Sequence, residues 1–172
     1  MQDFSEEVIK RLTEAQVEFV VVGGISAVLQ GAPIVTRDTD ICYRRTPENI
    51  ARLAKALAPW QPRLRGLPPD LPNIFDERAL QLGSNFTLLV GDEELDLLGE
   101  MSGLGGYEAI IGQCDEMLVS DCRVHVLSLA QLILTKEAAG RPKDLAVLPT
   151  LRATLEMQQK QGKSPDDSSP ST

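Results

Sequence analysis

The sequence predicts an α/β fold, and three observations carry that reading. Short β-branched runs bounded by glycines or turn residues alternate with helical patterns that carry their own caps. The 172 residues suit one domain with a substantial core. Aromatic residues make up only 4%, so that core must be built from Leu, Val, Ile and Ala. Residues 1–159 are expected to form the domain. Residues 160–172, rich in Lys, Gly, Ser, Pro and Asp, are expected to be a disordered tail.

The elements follow in order. Val8, Ile9 and Leu12 stand at helical spacing behind Asp3 or Ser5 as caps, which predicts a helix to about residue 15. Residues 17–22 are apolar apart from Glu18, β-branched and too short for a helix, so they read as a buried strand. Gly23 and Gly24 end it, residues 25–30 form a short helix stopped by Gly31, and residues 34–43 read as a second strand. Thr46 and Pro47 suit an N-cap and first helical position, opening a helix to about residue 57 with Ile50, Leu53, Ala54 and Leu57 inward. Pro62, Pro68, Pro69 and Pro72 with Gly66 make residues 59–73 a long surface loop, a place to shape an acceptor site.

Residues 86–90 and 94–98 read as a hairpin about a turn at 91–93. A glycine-containing loop at 101–106 and a short helix at 107–113 follow. A smaller hairpin joins 116–119 to 123–127 about Ser120 and Asp121. Ser128 and Gln131 make a capping-box pattern for a helix over 129–139, with Leu132, Ile133 and Leu134 inward and Gly140 at its end. Pro142 then opens a final helix to about residue 158.

Composition excludes several classes. No apolar run approaches a membrane span, and the acidic start MQDFSEEVIK lacks a signal-peptide pattern, so a cytoplasmic protein with no membrane partner is expected. Cys42, Cys114 and Cys122 are odd in number and lack CxxC spacing, which argues against a disulfide framework or a zinc site. The net charge of -8 disfavours general attraction to nucleic acid. Its distribution is uneven. Between residues 37 and 65, Arg37, Arg44, Arg45, Arg52, Lys55, Arg63 and Arg65 outnumber Asp38, Asp40 and Glu48, a section able to meet a triphosphate or a polyanionic acceptor. His125, the only histidine, sits in an alternating strand and is given no chemistry.

Two stretches carry chemistry. A glycine pair after a strand lets the backbone turn and a ligand approach closely, and the following helix aims free N–H groups at that space, which suits phosphate oxygens. Asp38 and Asp40, two apart in a strand, share one face. Close carboxylates raise each other's pKa, and a divalent cation between them relieves the repulsion. Within residues 94–98, Glu94 and Asp96 share the face opposite Leu95 and Leu97.

Gly23, Gly24 and Ser26, then Gly31, Thr36, Asp38 and Asp40, resemble the signature of the polymerase-beta-like nucleotidyltransferase superfamily, in particular its small bacterial members. These include the minimal nucleotidyltransferases and toxins of type IV toxin–antitoxin systems. The resemblance spans about residues 17–148. Ile34 stands where Arg is common, with Arg37 near enough to substitute, Thr39 where an aliphatic residue is usual, and Val147 where a second Asp is frequent.

The resemblance implies a mixed sheet flanked by helices, with C-terminal helices, and transfer of a nucleoside monophosphate from a nucleoside triphosphate to an acceptor hydroxyl with release of pyrophosphate. Asp38, Asp40 and Asp96 would be the catalytic residues and the ligands of Mg²⁺ or Mn²⁺, with Glu94 in reserve for Asp96. Gly23, Gly24, Ser26 and Arg37 would meet the nucleotide. Lys136, Arg141 and Lys143 would contact its phosphates, and Asp144 would fix one of those bases. The acceptor stays open among RNA, protein and a small molecule. So do two alternatives: an inactive nucleotide-binding or regulatory module, and a toxin with an antitoxin partner.

Overall fold

A seven-stranded mixed sheet organises the computed structural model, which describes residues 3–162. In chain order the elements are α1 (Phe4–Glu14), β1 (Phe19–Val22), α2 (Gly23–Leu29), β2 (Thr39–Tyr43), α3 (Pro47–Leu57), β3 (Arg63–Leu64) and α4 (Glu77–Leu82). They continue as β4 (Asn85–Val90), β5 (Glu93–Leu98), α5 (Tyr107–Ile110), β6 (Cys114–Val119), β7 (Cys122–Leu127), α6 (Leu129–Ala139) and α7 (Pro142–Gly162). The order across the sheet is β3-β4-β5-β2-β1-β7-β6. β2 runs parallel to β5 and β1 parallel to β7, while the other neighbours are antiparallel. This is the α/β architecture with a mixed sheet, flanking helices and C-terminal helices that the sequence predicts.

The caps of α3 and α6 work as the sequence predicts, whereas Asp3, at the N-cap of α1, makes no capping hydrogen bond with its side chain among the described residues. Thr46 accepts from the Asn49 N–H and Ser128 from the Gln131 N–H, and Gly140 ends α6 with φ 61°. Several boundaries differ for local reasons. The second strand begins only at Thr39, because residues 34–38 have no neighbouring strand to pair with. Helix α2 starts at the glycine pair itself, not after it. Ala56 is fully part of the buried face of α3, and Ala54, half-buried, packs against the same core. On α6 Leu134 is 48% exposed, and Thr135, donating to the Ser102 carbonyl at 2.8 Å, is buried instead.

The proline-rich loop hides β3, whose two residues pair with β4. Helix α4, capped by Asp76 accepting from the Ala79 N–H, was not foreseen. The last helix runs to Gly162, so residues 160–162 are helical where a disordered tail is expected; the rest of that tail lies outside the described residues. No helix among the described residues is long and apolar enough to cross a membrane.

The two faces of the sheet are covered unequally. On one, Val21, Ile41, Leu88, Leu95 and Leu97 pack against α1, α3 and α4 through Ile9, Leu12, Leu53 and Leu80. On the other, Val20, Val22, Cys42 and Leu127 pack against α6 and α7 through Leu129, Leu132, Leu148 and Leu151. That second cover reaches β7, β1 and β2. Further along the same face, β4 and β5 present Asn85, Thr87, Glu94 and Asp96, polar residues on strands whose reverse carries Phe86, Leu88, Leu95 and Leu97.

Candidate active site

The glycine pair exists because two side chains of the following segment occupy its space. A Cβ on Gly23 would lie 2.0 Å from Asp40 Oδ2, and Gly23 has φ +65°. A Cβ on Gly24 would lie 2.5 Å from Thr36 Oγ1. Any larger residue at either position would expel Thr36 or Asp40.

Sheet register then builds a block of carboxylates. Asp40 is the direct cross-strand partner of Asp96, and Asp38, just before β2, lies beside Glu94. Alternation puts Asp40, Glu94 and Asp96 on the open face, while Thr39, Leu95, Ile41 and Leu97 are buried behind them. Asp40 and Asp96 lie within hydrogen-bond reach of each other, as do Asp38 and Glu94. Burial first, then the charges of Asp96 and Asp38, pushes Asp40 up to about 7, with Lys136 pulling the other way. Asp96 is also raised, again chiefly by burial, against the opposing effect of Arg65. The Asp38 carboxyl raises Glu94.

Cations face this block across a cleft of about 450 Å³ lined by Gly23, Asp40, Thr87, Asp96, Lys136 and Arg141 among others. Lys136 comes from α6, and Arg141 from the turn after Gly140. Both are anchored on the fully buried Asp144: Lys136 Nζ donates to Oδ1 at 2.8 Å, and the Arg141 guanidinium donates to both carboxylate oxygens. Burial alone would raise Asp144, but the hydrogen bonds from Arg141 and Lys136 outweigh it and hold the carboxyl below its usual range. Lys143, exposed in the first turn of α7, is close enough to lower Asp96.

The expected residues therefore divide. Gly23, Asp40, Asp96, Lys136, Arg141 and Asp144 line one cleft, with Lys143 near its acidic floor. Asp38 and Arg37 line a neighbouring recess of about 470 Å³ with Thr36, Asp92, Glu93 and Glu94. Ser26 is fully buried and donates to the Gly23 carbonyl at 2.7 Å, so it fixes the glycine turn and offers its hydroxyl to no ligand. The basic section of the chain is mostly structural. Arg44 bridges Glu18 and Glu108, Arg45 donates to the Gly83 carbonyl, and Arg63 ties the proline-rich loop. From it, Arg65 reaches the carboxylates, a role that no motif signals.

Mg²⁺ and Mn²⁺ prefer hard oxygen ligands, and Mg²⁺ is commonly held by one or two carboxylates together with substrate phosphates. Asp40 and Asp96 fit such an ion: they are facing carboxylates, mutually strained by charge, and Gly23 leaves room for the Asp40 carboxyl beside the backbone. Among the described residues no three His, Cys, Asp or Glu side chains are arranged to hold an ion by themselves. Phosphate oxygens would have to complete its shell.

No family model matches the chain, and no curated protein does either. Solved structures do. The chain is similar to ANT(2'')-Ia in complex with adenylyl-2''-tobramycin, with TM-score 0.57 and 15% identity over 92% of this chain and 91% of that one. It is also similar to the lincosamide antibiotic adenylyltransferase LnuA bound to lincomycin, with TM-score 0.58 and 12% identity over 90% and 98% of the two chains. A third match is TM1012 of Thermotoga maritima, assigned as a nucleotidyltransferase, with TM-score 0.51 and 17% identity over 88% and 89%. The fold is thus the nucleotidyltransferase fold that the motifs imply.

Proposed function

We propose that the protein transfers a nucleoside monophosphate from a nucleoside triphosphate to an acceptor hydroxyl. One observation carries this reading: Asp40 and Asp96 face each other beside Gly23, opposite Lys136 and Arg141, in a single cleft. Carboxylates on one wall and cations on the other match a substrate that is a polyphosphate reacting at one end. The acceptor oxygen bonds to the α-phosphorus as the bond from that phosphorus to the α–β bridging oxygen breaks, and pyrophosphate leaves. Asp96 takes the acceptor's proton. Lys136, Arg141 and Lys143 hold the phosphates, and the missing side chain of Gly23 leaves room for the Asp40 carboxylate in the same cleft. Asp40 and Asp96, with Asp38 beside them, would hold Mg²⁺ or Mn²⁺, which when bound neutralises triphosphate charge and acidifies the attacking hydroxyl.

Because ANT(2'')-Ia and LnuA are described with antibiotics, small hydroxylated antibiotics are the first acceptors to try, followed by RNA and protein. The test is label transfer from α-labelled triphosphates with Mg²⁺, comparing wild type with Asp40→Asn. We expect transfer to fall by about 100-fold or more in the variant. Binding of triphosphate without transfer in either protein would instead support a regulatory module. One observation favours that second reading: Val147, where a second acid is frequent in the resembled family, packs against the apolar core.

A further inference from the structure

Arg65 belongs to no motif, yet the sheet delivers it to the site. Its backbone N–H donates to the Thr87 carbonyl at 2.8 Å, extending the ladder in which Arg63 pairs with Leu89 and Leu64 with Leu88. Thr87 pairs with Asp96, and Asp96 with Asp40, so Arg65, Thr87, Asp96 and Asp40 form one row across the open face. Gly66, with φ +83°, then turns the chain away. Arg63 donates to the Pro68 and Leu71 carbonyls and Asn73 to the Pro62 carbonyl, which ties down the loop that presents Arg65.

The contact itself is poorly matched. An arginine usually meets a carboxylate through two parallel N–H bonds. Here a single nitrogen, Nη2, serves both Asp96 Oδ1 at 2.9 Å and Glu94 Oε2 at 3.3 Å. The buried Nε has no partner among the described residues, a cost that a better-seated guanidinium would avoid. The positive charge is therefore held in place by the acids more than by geometry, which is the condition for being exchanged.

We propose that Arg65 is a resident counter-ion: it neutralises Asp96 and Glu94 until a divalent cation arrives with its polyphosphate, and then gives up Asp96. The proposal rests on the reading of Asp40 and Asp96 as cation ligands. Its consequence is that Arg65 opposes cation binding in the nucleotide-free protein, so removing its charge tightens that binding.

The experiment is titration of nucleotide-free protein with Mn²⁺, followed by paramagnetic resonance and calorimetry, in wild type, Arg65→Gln, Arg65→Lys and Asp40→Asn. Arg65→Gln is expected to bind Mn²⁺ about fivefold more tightly or better, and Arg65→Lys, which keeps the charge, to return toward wild type. Binding that Asp40→Asn abolishes but Arg65→Gln leaves unchanged or weakens overturns the counter-ion role and spares the proposed function. Binding insensitive to Asp40→Asn overturns both, and no binding in wild type and Arg65→Gln alike overturns the counter-ion role alone, since phosphate oxygens complete the ion's shell in the proposed function. Should Arg65→Gln fail to fold, Arg65→Met, which also removes the charge but keeps the apolar stem, decides: tighter Mn²⁺ binding than wild type supports the proposal, and unchanged or weaker binding overturns it.

Discussion

Asp40 is the residue on which the site's electrostatics turn. Its carboxyl releases a proton near 7 in the folded protein, against 3.8 as the ordinary value. Between those values the folded protein holds a proton that the unfolded chain has lost. The stability it supplies is complete below about 3.8 and is lost as pH rises through about 7. Melts of the metal-free protein should therefore weaken from pH about 5 to about 8 by more in wild type than in Asp40→Asn, the difference being on the order of a few kcal/mol. Identical slopes would mean that Asp40 is well solvated. Much of this was legible. Period-two alternation in residues 94–98 gives the face of Asp96, and the two-residue spacing gives that of Asp38 and Asp40. The pairing of Asp40 with Asp96 was not, because parallel register between strands some fifty residues apart leaves no local trace. Arg65 was hidden for a related reason: prolines on either side mask a two-residue edge strand.

Helices α6 and α7 act as one element through the turn at Gly140. Gly140 reverses the chain in the left-handed conformation, and Asp144, one turn into the next helix, gathers Lys136 from the first helix and Arg141 from the turn. The cap, the stop and the basic residues could all be read from sequence, since each is a local pattern. That Asp144 binds two cations rather than one needed the packing angle of the helices. Asp144→Ala removes a fully buried charge but leaves both partners with some access to water, so a loss of about 1–3 kcal/mol is expected in urea denaturation. Transfer should fall alongside it through weaker triphosphate binding, seen as a raised KM. A stability loss with KM unchanged would make the cluster purely structural.

Across the molecule, the site lies where the cover of α6 and α7 ends and the sheet continues bare. The apolar core on the reverse face carries stability without touching the cleft. Leu53→Ala, in that core, should cost about 2–5 kcal/mol yet leave the transfer rate unchanged well below the melting temperature. A rate that collapses while the protein remains folded would show that the layers are coupled. The sequence predicts two covered faces equally well, because helical periodicity says which side of a helix is apolar and not how far along a sheet it reaches. The uneven cover has one more consequence. A workbench open along one flank imposes no ceiling on the bulk of what is laid upon it, unlike a tunnel. On the proposed function, choice of acceptor then falls to the polar side chains along that flank, Asn85, Thr87 and Glu100 among them, so exchanging those is the direct route to a new acceptor.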